Sequence, residues 1–273
     1  MTPRIGHINF LNVLPLNYGY QTCAEDLNIV YGVPTFLNAE LRAGRIDFSN
    51  ISSIEYARQS ENLLILPNLC VRADKDVTSI VLVSRKPIEN IRDDKIILTS
   101  KSATAQRLLK IILHESYDAA PDYETREVKP EKPVEDDATA ALFIGDDALY
   151  IYLHPPANFY VYDLGKEWHK LTGRQMVYAL WAVRKNFTGD FQATYEKILR
   201  AFEFGIEHKA AAINSVSDKK PFTFAELDKY LGGVIKWDLT SEAVDALKIY
   251  YQKAAALKLI AREPELNFAE VTA

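Results

Sequence analysis

From Arg4 to Val183 short apolar runs alternate with helical patterns, and beyond that point the chain is helical throughout. This order constrains the fold more than any other feature, because strands alternating with helices imply mostly parallel sheets with right-handed crossovers. Arg4–Phe10, Asn28–Val33, Ile46–Ile51 and Leu63–Leu66 read as strands of a first α/β run. Ser79–Ser84, Lys95–Leu98, Ala140–Ile144, Phe159–Tyr162 and Val177–Val183 read as strands of a second. Helical spacing then marks Phe191–Ala212, Phe224–Leu231 and Ser241–Leu259.

Two of the runs, Ser79–Ser84 and Val177–Val183, are long and apolar, the first rich in β-branched residues, as expected of buried strands. They bracket the second α/β region, and we read them as the strands that cross between two lobes. The expected division is therefore residues 1–83 plus 182–273 as one discontinuous lobe that includes the helical tail, and 84–181 as the other. A ligand cleft is expected between them, since a double crossing suits a hinge that closes on a small molecule. At 273 residues, two lobes of ordinary size are a better prior than one core.

The formal charge of −5 argues against a nucleic-acid partner, which needs a basic stripe to neutralise phosphates. No stretch approaches the ~20 apolar residues of a membrane span. The opening Met-Thr-Pro-Arg has neither a basic n-region nor a hydrophobic h-region, so the expected location is cytoplasmic. Cys23 and Cys70 form no CxxC pair and lie in no Cys/His cluster, which supports no metal site.

Small polar residues recur where strands turn into helices: Asn12, Ser52 and Ser53, the run Thr99-Ser100-Lys101-Ser102-Ala103-Thr104, and Gly145-Asp146. In open α/β sheets ligands bind at the carboxyl ends of strands, where such turns gather. Helix-start N–H groups there hold carboxylates or phosphates without net positive charge. Taken singly, Asn12, Ser53 and Ser102 are also explained as ordinary N-caps worth ~1 kcal/mol each. The Thr99–Thr104 run carries more hydroxyls than one cap requires, and an anion pocket explains it better. Glu55 reads as a first-turn dipole partner and His7 as a packed or supporting histidine.

GxSxG, Walker, HExxH and GxGxxG motifs are all missing from the sequence, so hydrolytic, phosphoryl-transfer, zinc and dinucleotide chemistry lack support. What remains is an ordered series of modest motifs. Arg4-Ile5-Gly6-His7-Ile8-Asn9-Phe10-Leu11-Asn12, Leu14-Pro15-Leu16 and Ser52-Ser53-Ile54-Glu55-Tyr56-Ala57 come first. Val77-Thr78-Ser79, Thr99-Ser100-Lys101-Ser102, Phe143-Ile144-Gly145-Asp146-Asp147-Ala148-Leu149, Asp163-Leu164-Gly165, Trp168 and Thr172-Gly173 follow. In this order they resemble the chorismate dehydratases of the futalosine route to menaquinone, over residues 4 to about 184 and more weakly over the helical tail.

The resemblance implies a type-II periplasmic-binding fold and a hydro-lyase that turns chorismate into 3-[(1-carboxyvinyl)oxy]benzoate and water. It implies Asn12 and Ser79 as catalytic residues and a small carboxylate as substrate, with no metal or organic cofactor. Ser52, Ser53, Thr99, Ser100, Ser102, Ala103, Thr104, Gly145 and Asp146 are then the expected substrate-binding positions. The chain departs from the family at Lys75-Asp76, where many members carry Gly-Pro, at Ala103 and Ala105, and at Gln175-Met176. The alternative is a non-catalytic cytoplasmic binding or sensor protein for a small carboxylate. The sister enzyme class of the pathway, acting on a dehypoxanthine futalosine, opens on a different motif.

Overall fold

The computed structural model describes residues 2–218 and 220–272. The chain forms two compact units, Met1–Val71 with Ala179–Leu239 and Pro264–Ala273, and Arg72–Tyr178 with Thr240–Glu263.

The first unit holds a six-stranded sheet in the order β11-β4-β10-β3-β1-β2. Its strands are β1 (Arg4–Ile8), β2 (Asn28–Gly32), β3 (Phe48–Ser52), β4 (Leu63–Ala73), β10 (Met176–Arg184) and β11 (Ile235–Lys236). β1 pairs in parallel with β2 and β3, whereas β10 runs antiparallel to β3. Every residue of β3 is buried, as a strand covered on both faces requires. Its helices include α1 (Leu14–Cys23), α2 (Pro34–Arg42), α3 (Ser53–Gln59) and α7 (Phe191–Glu207). α1 and α7 pack backbone to backbone through two glycines: a Cβ on Gly19 would lie 1.7 Å from the Ala201 carbonyl oxygen, and one on Gly205 1.8 Å from that of Pro15. The last residues return to this unit. The Tyr56 hydroxyl donates to the Glu265 carbonyl and accepts from the Asn267 N–H, both at 2.8 Å.

The second unit holds a five-stranded sheet, β7-β6-β8-β5-β9. These are β5 (Ile80–Ser84), β6 (Lys95–Thr99), β7 (Asp122–Arg126), β8 (Ala140–Ile144) and β9 (Tyr160–Asp163). β6 is parallel to β7 and β8, and β5 is antiparallel to β8 and β9. Val81, Val83, Ile97, Ala141, Phe143, Ala148 and Ile151 make one core cluster. α4 (Ala103–Tyr117) buries Leu108, Leu109, Ile111 and Ile112, the stripe visible in the sequence. α5 (Gly145–Leu153) and α6 (Leu164–Thr172) follow β8 and β9 directly.

Two expectations about the division need correction. The chain enters the second unit inside β4, between Val71 and Arg72, and not through Ser79–Ser84, which lies wholly within the second sheet as β5. Pro67 and Asn68, the latter with φ 63°, interrupt the apolar pattern of β4 and hide its eleven-residue length. The return, between Tyr178 and Ala179, does fall in the Val177–Val183 run. The tail is also shared. α10 (Ser241–Ala256) belongs to the second unit, where the Tyr250 hydroxyl donates to the Thr104 carbonyl at 3.1 Å and Trp168 packs edge-on to Tyr250. Thr240 caps this helix, accepting from the Ala243 N–H. Among the described residues no helix is long and apolar enough to cross a membrane.

Candidate functional site

In the first unit, Asn12 sits in a 3-10 turn, Leu11–Val13, between β1 and α1. It does not cap α1: that helix starts at Leu14 behind Val13, with Pro15 in its first turn. The Asn12 backbone carbonyl accepts the Trp237 indole N–H at 2.8 Å, while its side-chain oxygen is buried and makes no hydrogen bond within the protein. A carboxamide held in this way keeps its hydrogen-bonding capacity for something outside the chain, since burying a polar atom without a partner is costly.

Ser52 ends β3 at the N-cap position of α3, and Ser53 is that helix's first residue. The Ser52 side chain makes no cap bond; its hydroxyl accepts from the Asn38 amide at 3.4 Å. Glu55 is buried and taken up by Arg42 at 2.6 Å and Arg58 at 3.6 Å, so its role is an ion pair beyond the expected dipole contact. Both basic partners reach partly into solvent.

Beneath these turns the first sheet carries a polar row. Tyr31 pairs with His7 across β2 and β1, and Trp181 with Asn50 across β10 and β3. The Asn50 side-chain oxygen accepts the Ile8 N–H at 3.0 Å, which locks β3 against the end of β1. The Asn50 amide nitrogen and both His7 ring nitrogens are buried without a partner, while the buried hydroxyl of Tyr20 on α1 faces the Trp181 indole. Burial alone pushes the His7 imidazole from 6.5 down to about 3, so it is neutral, and burial pushes the Tyr20 hydroxyl up. In the sequence, Asn50 and this row show only a strand pattern. The polar residue inside an otherwise apolar strand, Phe-Ser-Asn-Ile-Ser, was the available signal.

In the second unit, Ser79 follows Thr78 directly, and Thr78 has φ 58°. The Ser79 N–H donates to the Val77 carbonyl at 2.7 Å, and the Ser79 hydroxyl donates to the same oxygen at 3.3 Å. An i→i+2 bond around a residue of positive φ is the rare, strained form of γ-turn. Ser79 is brought to Gly145, whose N–H donates to the Ser79 carbonyl at 2.8 Å. The sequence marks Thr78 only as part of the Val77-Thr78-Ser79 motif, yet its buried hydroxyl has no partner.

The Thr99–Thr104 run is divided by the fold. Thr99 ends β6 and its hydroxyl accepts the Lys101 N–H; Ser100 is exposed; Ser102 caps α4, accepting from Ala105 at 3.3 Å. Ala103 and Thr104 are the first residues of α4, and both are buried. Of the three residues read as ordinary caps, only Ser102 is one. Gly145 and Asp146 open α5, and neither caps it, the N-cap being Ile144. Lys101 reaches Asp147 at 3.1 Å and so ties this turn to the Thr99–Thr104 loop.

Two units, each an open sheet with polar turns at its strand ends, are the construction of periplasmic-binding-protein-like folds. Solved structures agree. A protein from Archaeoglobus fulgidus superposes with a TM-score of 0.74 at 19% identity, over 94% of this chain and 98% of that one. The periplasmic aliphatic sulphonate binding protein of Escherichia coli gives 0.67 at 14% identity, over 99% and 92%. A Candida albicans gene product described as having the generic periplasmic binding protein fold gives 0.62 at 14%, over 100% and 99%.

Within that class the sequence is more specific. The menaquinone biosynthesis family model matches residues 3–256, and the chain belongs to this family. It is 26% identical over 264 residues to the chorismate dehydratase of Campylobacter jejuni, covering 93% of this chain and 98% of that one. It is 31% identical over 195 residues to the chorismate dehydratase of Thermus thermophilus, covering 66% and 69%.

Proposed function

We propose that this chain is a chorismate dehydratase, a hydro-lyase that converts chorismate into 3-[(1-carboxyvinyl)oxy]benzoate and water. The observation that carries the reading is its family membership over residues 3–256, a span that contains Asn12 and Ser79 together with every expected binding turn. The relatives named above add the same activity from nearly full-length and two-thirds-length matches.

The chemistry suits the residues at hand. The ether-bearing ring carbon of chorismate gives up its proton and the neighbouring carbon loses its hydroxyl. The ring becomes aromatic, which drives the step. The reaction is redox-neutral, so it calls for orientation and for stabilisation of developing negative charge more than for a nucleophile. In this reading the enolpyruvyl carboxylate of the substrate takes the proton. Asn12, whose uncommitted side-chain oxygen accepts from the leaving hydroxyl, and Ser79, at its strained turn, whose hydroxyl donates to that carboxylate, orient the two groups. Thr99, Ser100, Ser102, Ala103 and Thr104 at the start of α4 take up a carboxylate of the substrate, with Ser52, Ser53, Gly145 and Asp146 completing the contacts. The product feeds menaquinone synthesis by the futalosine route, in the cytoplasm. The free thiols of Cys23 and Cys70 are compatible with a reducing compartment.

The test is incubation with chorismate, following loss of the diene absorbance and appearance of the aromatic product. Asn12→Ala and Ser79→Ala are each expected to lower kcat by 10²–10³-fold or so, the usual cost of removing an oriented transition-state contact. A folded Asn12→Ala enzyme with full turnover overturns the assignment. Tight chorismate binding without turnover in the parent chain points instead to a binding or sensor protein.

A further inference from the structure

We infer that Asp163 is a positioning residue for Ser79: its carboxylate holds the strained turn at Thr78 that sets where the Ser79 side chain lies. This rests on the role proposed for Ser79 above.

Asp163 ends β9 and caps α6, where it accepts the Lys166 N–H at 2.9 Å. An ordinary N-cap requires no more than that bond. Here the same carboxylate also accepts the Val77 N–H on both oxygens, at 3.1 and 3.0 Å, and the Thr78 N–H at 2.6 Å. Asp163 is only 4% exposed, and β5 pairs with β9 so that Val81 faces it across the ladder. Gly165 completes the junction, since a Cβ there would stand 2.3 Å from the Lys75 carbonyl oxygen and 3.0 Å from the Val77 nitrogen. The Asp163-Leu164-Gly165 and Val77-Thr78-Ser79 motifs are thus one physical device.

The carboxylate has something to hold against. A β-branched residue at positive φ is an outlier, and strain of this kind persists only where the surroundings over-determine it. The Thr78 N–H bond to Asp163 fixes the peptide on one side of the turn. The Gly145 N–H bond to the Ser79 carbonyl fixes it on the other. An asparagine at 163 would retain one acceptor and turn an amide group of donors toward backbone N–H groups. The turn should then relax to negative φ and carry Ser79 with it.

Asp163→Asn and the double variant Asp163→Asn/Thr78→Gly are compared with the parent for melting, kcat and KM with chorismate, and crystal structure. The expected result is a folded Asp163→Asn protein with kcat lowered at least tenfold and KM changed less than about threefold. Glycine takes positive φ without penalty, so the double variant should recover several-fold of the lost kcat, which a general loss of stability would not give. The structure of Asp163→Asn should show residue 78 at negative φ and the Ser79 hydroxyl displaced. Parent-like kcat in Asp163→Asn, or residue 78 and Ser79 unmoved in its structure, overturns the inference. If Asp163→Asn does not fold, Asp163→Glu goes through the same comparison with the same criteria. A parent inactive on chorismate counts against the proposed function instead, and the structural comparison then decides the role of Asp163 by itself.

Discussion

The indole of Trp237 donates to the backbone carbonyl of Asn12 at 2.8 Å, across 225 positions of sequence. The peptide that carries the candidate catalytic amide is therefore fixed from outside its own turn, and the Asn12 side chain is left uncommitted. Trp237 is in turn set edge-on against Phe202, with ring centroids 5.6 Å apart. Trp237→Phe keeps most of the packing and removes the bond. A hydrogen bond of this kind contributes about 1 kcal/mol. The variant should fold, melt a few degrees lower and lose several-fold in kcat, as read by steady-state kinetics alongside calorimetry. An unchanged kcat would show that the bond leaves the geometry of Asn12 unaffected.

Gly205→Ala should be far more damaging than its size suggests. The added methyl would meet the Pro15 carbonyl at 1.8 Å, so α1 and α7 must separate. Overpacking of this severity costs about 3 kcal/mol or more. At ~2–4 °C per kcal/mol that lowers Tm by roughly 6–12 °C. Because α1 begins two residues after Asn12, kcat should fall as well. A variant that melts with the parent would mean the two helices have slack between them.

Acid should destabilise the first unit through His7. Burial moves its imidazole from 6.5 to about 3. Below about pH 6.5 the unfolded chain binds a proton that the folded chain refuses until about pH 3. Stability from this group therefore falls as pH drops through that window, by up to about 1.4 kcal/mol per pH unit. Urea unfolding at intervals from pH 8 to pH 4 should show His7→Phe losing less stability than the parent as the pH falls. Parallel curves would remove His7 as the cause.

At the start of α4, Ser102→Asp separates capping from substrate contact. Aspartate caps as well as serine, so stability should stay within about 0.5 kcal/mol. A second negative charge beside a bound carboxylate should raise KM for chorismate at least tenfold. An unaltered KM would mean that this loop holds no carboxylate.

How much of this was legible in the sequence depends on whether the determining contact is local. β5, β8 and the apolar stripe of α4 were readable because alternation and helical spacing are properties of neighbouring residues. β4 was cut short because Pro67 and the left-handed Asn68 imitate a chain break in what is one continuous strand. α10 was assigned to the wrong unit because its pattern reveals an apolar face and not the surface that face will cover, which Thr104 and Trp168 decide. At the candidate site, the turns at Asn12 and at Ser52-Ser53 were found by residue type. The strain at Thr78 and the backbone bonds of Asp163 were not, since neither φ nor a contact 85 residues away leaves a local signature.

The return of the C-terminal segment to Tyr56 and to β4, where Ile65 bridges Phe268, bears on how the protein is made. Domains generally fold as units, the N-terminal one first, while the ribosome is still adding residues. Here neither unit is contiguous: the second needs α10, and the first needs the segment Pro264–Ala273 that follows it. Synthesis therefore delivers the last piece of the first unit only after every segment of the second, and Asn12 waits for a complete first unit until Pro264–Ala273 has been made.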